Sequence, residues 1–210
     1  TGQTRFADDV VLPRTVHCKL LRSKVPHANV RSVDTSKAER HAGVLLVLTG
    51  KDFPITFGIL PVSQDEDPLA RDRVRFVGDP VAAIIAKDEA TANDALDLIQ
   101  VDYEILPTRA TPLEAYDNPV PRIHEYGEEG NVHKRVSFQF GDTEQAFSTS
   151  DRVFEDVFFF QGNTHLPIEQ HASIAAPDQD GKLTIWSSTQ VPHYLHRSLA
   201  RALALPAAHI

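Results

Sequence analysis

The 210-residue sequence is poor in the features that would fix a class at once. It has a single cysteine, Cys18, so an internal disulfide and a thiolate zinc cage are both excluded. A reducing, cytoplasmic setting is the expectation that fits this usage. The longest uninterrupted apolar runs, residues 44–48 and 81–86, have the size of strands, whereas a membrane-crossing helix needs about 20 such residues. Lys and Arg number 21 against 29 Asp and Glu and form no cluster, which argues against a nucleic-acid surface. No phosphate loop, dinucleotide fingerprint, nucleophile elbow or EF-hand is found. Internal repeats and low-complexity segments are lacking as well. There is no methionine, and the chain opens on Thr1-Gly2-Gln3. We therefore expect a piece of a longer protein, for which a missing signal peptide carries no information.

What is present describes a globular chain: 41% hydrophobic residues, 24% charged, net charge -8. The first half alternates strand and helix patterns. Residues 16–21 read as a strand with Val16, Cys18 and Leu20 on one face, so Cys18 is expected as an inert buried thiol. Residues 29–33 form a weaker strand. Ser36 and Glu39 have capping-box spacing for a short helix that ends near Gly43. The β-branched and leucine run 44–49 predicts a strand covered on both faces. Residues 57–69, with Gly58, Pro61 and Pro68, are loop material, either functional or a plain surface connection. Residues 74–77 and 81–86 are strands around a Gly78-Asp79-Pro80 turn. Ala92, Ala95, Leu96 and Ile99 define the apolar stripe of a helix over 89–100. A strand over 101–106 follows, and proline-punctuated chain then reads as a linker.

The rest of the sequence has β character. Val136, Phe138 and Phe140 alternate with polar residues, and Asp142 with Gln145 caps a short helix. Residues 153–160, 168–176 and 182–186 predict three strands, the last two joined by an Asp178-Gln179-Asp180-Gly181 turn. A final helix starts at Pro192, with Leu195, Leu199, Ala202 and Leu203 on one face.

Chemistry-bearing residues are scattered. His165, His171, His193 and His196 concentrate in the last third, and His193 with His196 can share a helix face. No neighbouring motif supplies further zinc ligands, so structural histidines are the default and a histidine-bound zinc protein is the competing idea. Glu169, inside the mostly apolar stretch 166–171, could be a general base or could bind backbone amides. Motif logic alone stops at a two-part α/β protein.

Several stretches resemble the large subunits of the molybdenum hydroxylases, the group of xanthine dehydrogenase, aldehyde oxidoreductase, carbon monoxide dehydrogenase and 4-hydroxybenzoyl-CoA reductase. Phe6-Ala7-Asp8-Asp9 with Leu12-Pro13 is similar to the family's opening segment. Leu21-Arg22-Ser23 with Pro26-His27-Ala28 is similar to its arginine-serine-proline-histidine element, here with Lys24-Val25 inserted. Residues 43–52, the Val77-Gly78-Asp79-Pro80-Val81-Ala82 block and Val101-Asp102-Tyr103-Glu104 with Leu106-Pro107 match the landmarks that follow. Residues 57–62 and 68–72, and Thr189-Gln190-Val191-Pro192 with Tyr194, resemble the 4-hydroxybenzoyl-CoA reductase branch in particular.

The resemblance implies an α/β (α+β) fold class: an α/β hammerhead domain over residues 1–110, a linker over 111–130, and over 131–210 the truncated start of a β-rich molybdopterin-binding domain. It implies that Gln190 is a cofactor-binding residue whose neutral amide contacts the oxo group on molybdenum. No catalytic residue and no protein metal ligand is expected within this chain. The implied cofactor is molybdenum–molybdopterin, in its cytosine dinucleotide form. Iron–sulfur clusters and FAD would reside on partner subunits of a heterotrimeric, dimerised complex. The implied reaction is reductive dehydroxylation of a 4-hydroxybenzoyl-CoA-like thioester. The alternatives are a hydroxylating aldehyde, xanthine or carbon monoxide dehydrogenase-type member, and a non-catalytic hammerhead interaction module. The expected substrate is a small aromatic molecule, with no nucleic acid and no membrane span.

Overall fold

The computed structural model describes residues 2–58 and 64–210. Its first half is built on two three-stranded sheets. One has the order β1 (His17–Arg22), β5 (Pro80–Ala86), β3 (Val44–Thr49), with both pairings antiparallel. The other has the order β4 (Arg73–Val74), β2 (Ala28–Asp34), β6 (Gln100–Ile105). Strand β5 is flanked on both edges and carries the deepest core, with Val81, Ala82, Ile84 and Ala86 all at 0% exposure. Its small and β-branched residues suit such a position, because a central strand must pack on both faces.

Two short helices cover this layer. Helix α1 (Ser36–Glu39) buries Ala38, and α2 (Glu89–Leu96) buries Thr91, Ala92 and Ala95 against the β1–β5–β3 sheet. Asp88 caps α2 by accepting a hydrogen bond from the Thr91 amide at 2.7 Å, and the Thr91 side chain together with this amide holds its carboxyl below the usual range. A second core cluster of Ala28, Ala70, Val74 and Val81 joins the two sheets. Gly50 is needed where it stands, since a Cβ there would come within 2.7 Å of the Leu69 and Ala70 carbonyl oxygens.

Several local expectations require correction. Strand β3 is an edge strand with Leu45 60% and Leu46 50% exposed, so the doubly covered strand is β5. Cys18 is exposed because its side of β1 is not packed, although partial desolvation pushes its thiol pKa up. The cap of α1 differs too. Thr35 is the cap residue, its hydroxyl donates to Glu39, and the Ser36 amide donates to Asp34 instead of taking part in a capping box. The strand expected over 74–77 shrinks to Arg73–Val74, leaving Phe76 and Val77 exposed. Helix α3 (Pro112–Asp117) interrupts the expected linker, held by a Thr111–Glu114 capping box. The inserted residues after Ser23 close a tight turn, with the Ser23 hydroxyl donating to the Val25 carbonyl.

The remainder of the chain is sparser. Helix α4 (Thr143–Thr149) is capped by Asp142, as its spacing predicts. Strands β7 (Ser173–Pro177) and β8 (Leu183–Ser187) form an antiparallel hairpin, and α5 (Pro192–Ala202) follows. Residues 153–160 and the alternating stretch at 136–140 carry the expected strand pattern but are not strands, because no neighbour among the described residues pairs with them.

Candidate functional site

Gln190 stands in the bend between β8 and α5 and is exposed. The hairpin delivers the chain to this point, where Val191 leaves strand conformation and Pro192 opens α5 at a position that has no amide hydrogen to lose. A neutral amide at the amino end of an 11-residue helix sees the positive end of the helix dipole, a setting that favours an electron-rich ligand oxygen.

Beyond Gln190, α5 lines a cleft of about 410 Å³ with Tyr194, Arg197, Ser198 and Arg201. The opposite wall is supplied by Phe57 and Gln64 from the loop after β3. Backbone hydrogen bonds in both directions between Phe57 and Glu66, at 2.9 and 3.0 Å, pinch that loop at its base. Residues 59–62, which carried part of the resemblance to the benzoyl-CoA branch, lie outside the described residues.

The other candidates separate from this cleft. One carboxylate oxygen of Glu169 accepts a hydrogen bond from the Ala7 amide at 3.0 Å. Ala7 starts the 3₁₀ turn Ala7–Asp9, so Glu169 ties the opening segment to the later half and acts as a backbone-binding residue. His196 contacts the Ala207 carbonyl at 2.8 Å, which is a structural use. Among the described residues no group of three or more His, Cys, Asp and Glu side chains is placed to hold a metal ion. The buried His27 of the arginine-serine-proline-histidine element contacts the Pro107 carbonyl through Nδ1 at 2.9 Å, fastening β2 to the end of the first half. Asp79, in the turn before β5, is half-buried, and desolvation pushes its carboxyl pKa up despite the hydrogen bond it accepts from the Arg75 amide.

Two family models match this chain. That of the aldehyde oxidase and xanthine dehydrogenase a/b hammerhead domain covers residues 1–107. The chain belongs to the aldehyde oxidase and xanthine dehydrogenase family. A molybdopterin cofactor-binding domain model covers residues 123–210, a span that includes Gln190 and α5. Among curated relatives, a probable xanthine dehydrogenase subunit from Bacillus subtilis is 39% identical over 98% of this chain and 27% of its own length. The nicotinate dehydrogenase large molybdopterin subunit of Eubacterium barkeri is 37% identical over 98% of this chain and 48% of its own length. The chain thus spans between about a quarter and a half of these relatives. Among solved structures, quinoline 2-oxidoreductase from Pseudomonas putida 86 aligns over 100% of this chain and 28% of its own, with a TM-score of 0.88 and 31% identity.

The fold of the family member is therefore a mixed α/β hammerhead domain followed by the start of a molybdopterin-binding domain. The narrower likeness to 4-hydroxybenzoyl-CoA reductase draws no support from these relatives, whose names refer to xanthine, nicotinate and quinoline. No helix among the described residues is long and apolar enough to cross a membrane. The sequence pattern did not single out the arginine pair in the cleft. Its signal was the four-residue spacing of Arg197 and Arg201 on the polar side of the final helix.

Proposed function

We propose that this chain is the opening part of the molybdenum-cofactor-binding subunit of an oxidoreductase of the hydroxylating dehydrogenase type, acting on a small aromatic molecule. The observation that carries the reading is the molybdopterin-binding match over 123–210, within which Gln190 stands exposed at the head of α5. The residues present suit the group. An exposed neutral amide beside a helix amino terminus can donate to an electron-rich oxygen without adding a charge that would alter the metal's redox poise. Molybdenum held by a pterin dithiolene supplies two-electron redox chemistry when bound. In this reading Gln190 positions the cofactor, and the residues that complete the site come from further along the protein.

The same proposal takes residues 1–110 as the hammerhead domain, 111–130 as a linker and 131–210 as the beginning of the cofactor domain. It includes the cytosine dinucleotide form of the cofactor, and iron–sulfur and FAD subunits as electron partners in a dimerised heterotrimer. A cytoplasmic location belongs to it as well, supported by the single cysteine. A second reading, reductive dehydroxylation of a 4-hydroxybenzoyl-CoA-like thioester, is favoured by Val191-Pro192 and Tyr194 following Gln190.

The test is elemental analysis and pterin fluorescence of the full-length protein, matured in a molybdenum-replete host. Stoichiometric molybdenum is expected, and a metal-free protein rejects the enzyme reading in favour of a docking module. Turnover of aldehydes and N-heterocycles against reduction of 4-hydroxybenzoyl-CoA separates the two reactions. Gln190→Ala should retain the pterin and lower turnover or metal retention about 10- to 100-fold.

A further inference from the structure

The cleft beside α5 contains an arrangement of charge that the cofactor reading does not use. Arg197 and Arg201 are one turn apart on the same helix and both line it. Like charges at this spacing repel, so the pair raises the local positive potential. Their direct contacts are neutral groups. Arg201 Nη1 donates to the Gln64 amide oxygen at 3.2 Å, and the Arg197 guanidinium lies 4.8 Å from the Tyr194 ring centroid. An amide and an aromatic ring orient a guanidinium without neutralising it.

Three arginines elsewhere pair with carboxylates, Arg31 with Glu104, Arg71 with Asp67 and Arg73 with Glu125, while Arg22, Arg75 and Arg109 bind backbone carbonyl oxygens. Among the described residues no Asp or Glu forms an ion pair with Arg197 or Arg201.

The geometry points to an oxyanion-binding site in this cleft, in which Arg197 and Arg201 hold the carboxylate of a small, flat organic acid. Guanidinium forks match a carboxylate through paired N–H donors. Phe57 and Tyr194 offer aromatic walls to a planar body, and the Ser198 hydroxyl adds one further donor. The volume of about 410 Å³ falls within the range of small-molecule sites. At about 1.5 Å rise per residue, the backbone positions of Arg197 and Arg201 lie roughly 10 to 16 Å along the helix from Gln190. The site therefore anchors or admits an anion at a distance from the cofactor amide. That the anion is a substrate rests on the proposed function, whereas the site itself rests on these side chains. A phosphate group of a nucleotide-bearing ligand presents the same oxyanion chemistry, and the test separates the two.

Calorimetric titration of the full-length protein with benzoate, benzamide and inorganic phosphate tests this, with molybdenum measured in the same preparation. Benzoate should bind at least about tenfold more tightly than the isosteric, neutral benzamide. Arg197→Gln with Arg201→Gln should remove that difference and leave benzamide unchanged. Arg197→Lys with Arg201→Lys should keep part of it, with a steeper loss in added salt. Tighter binding of phosphate than of benzoate, lost in the same glutamine variant, would keep the site and replace the carboxylate by a phosphate-bearing ligand. Equal affinity of the wild-type protein for benzoate and benzamide would overturn the proposal, and this comparison needs no variant to fold. Benzoate affinity unchanged in the glutamine variant would overturn it as well. A molybdenum-free protein that still prefers benzoate refutes the proposed function alone, and a molybdenum-loaded protein without the preference refutes this site alone.

Discussion

Residues 81–86 and 153–160 are both strand-length stretches rich in apolar residues, the second interrupted by Glu155 and Asp156, and they end in opposite states. The first is β5, hydrogen-bonded on both edges, with Ile84 at 0% exposure. The second is unpaired chain in which Phe158 and Phe159 are 90% and 91% exposed. The difference is one of neighbours. A strand exists when flanking strands satisfy its backbone groups and a second layer covers its side chains. Residues 80–86 receive both from β1, β3 and α2. Residues 153–160 receive neither among the described residues, so their aromatic side chains form an exposed apolar surface of the kind that a partner surface normally covers.

The comparison can be broken most sharply at its buried end. Ile84→Ala should cost about 2 to 5 kcal/mol in urea unfolding, because its cavity would be walled by the β-sheet and α2. A cost below about 1 kcal/mol would mean that the first half is not a packed core. A smaller effect, about 1 kcal/mol, is expected from Thr111→Ala, which removes the cap of α3 and so tests whether the linker region adds to the cooperative unit. Thermal melts of the two proteins measure it.

Asp79 supplies a pH test of burial in the first half. Its folded pKa is raised by desolvation, so its contribution to stability is complete below the unfolded pKa and is lost as pH rises through the folded pKa. Asp79→Asn does not titrate and keeps an oxygen that can accept from the Arg75 amide. The stability of this variant relative to wild type should therefore increase as pH rises through the carboxyl's titration range. A flat difference would place Asp79 in solvent, and one that falls with pH would mean that the Arg75 hydrogen bond and charge outweigh desolvation. The smallest change is expected at the exposed end. Phe158→Ser with Phe159→Ser should alter the stability of the 210-residue chain by no more than about 0.5 kcal/mol while reducing its aggregation in light scattering. A large destabilisation would show these rings to be packed.

The readable parts of the fold were those whose signal is local. Asp142 marked its helix, Pro192 opened α5, and Ala92 with Ala95 gave the buried stripe of α2. Errors fell where the outcome depends on what lies across from a residue. Leu45 and Leu46 look as buried in sequence as Ile84 and Val81, but only position in the sheet order separates an edge from a centre. Cys18 failed for the same reason, since alternation predicts a face but not whether that face is covered. Of the candidate site, Gln190 was proposed from its flanking residues, while the meeting of Arg197 and Arg201 with Phe57 and Gln64 joins segments more than 130 residues apart, as the 137-residue separation of Gln64 and Arg201 shows.

By itself the sequence determined the Asp142 cap, the Pro192 start of α5, the apolar stripe of α2 and the membership of a family, because each follows from side chains within a few residues or from ordered short motifs. Only the tertiary structure decided which strands have partners, which apolar faces are covered and which charges are left without a counter-ion. Those outcomes are set by contacts between distant segments, whose free energy no local pattern carries.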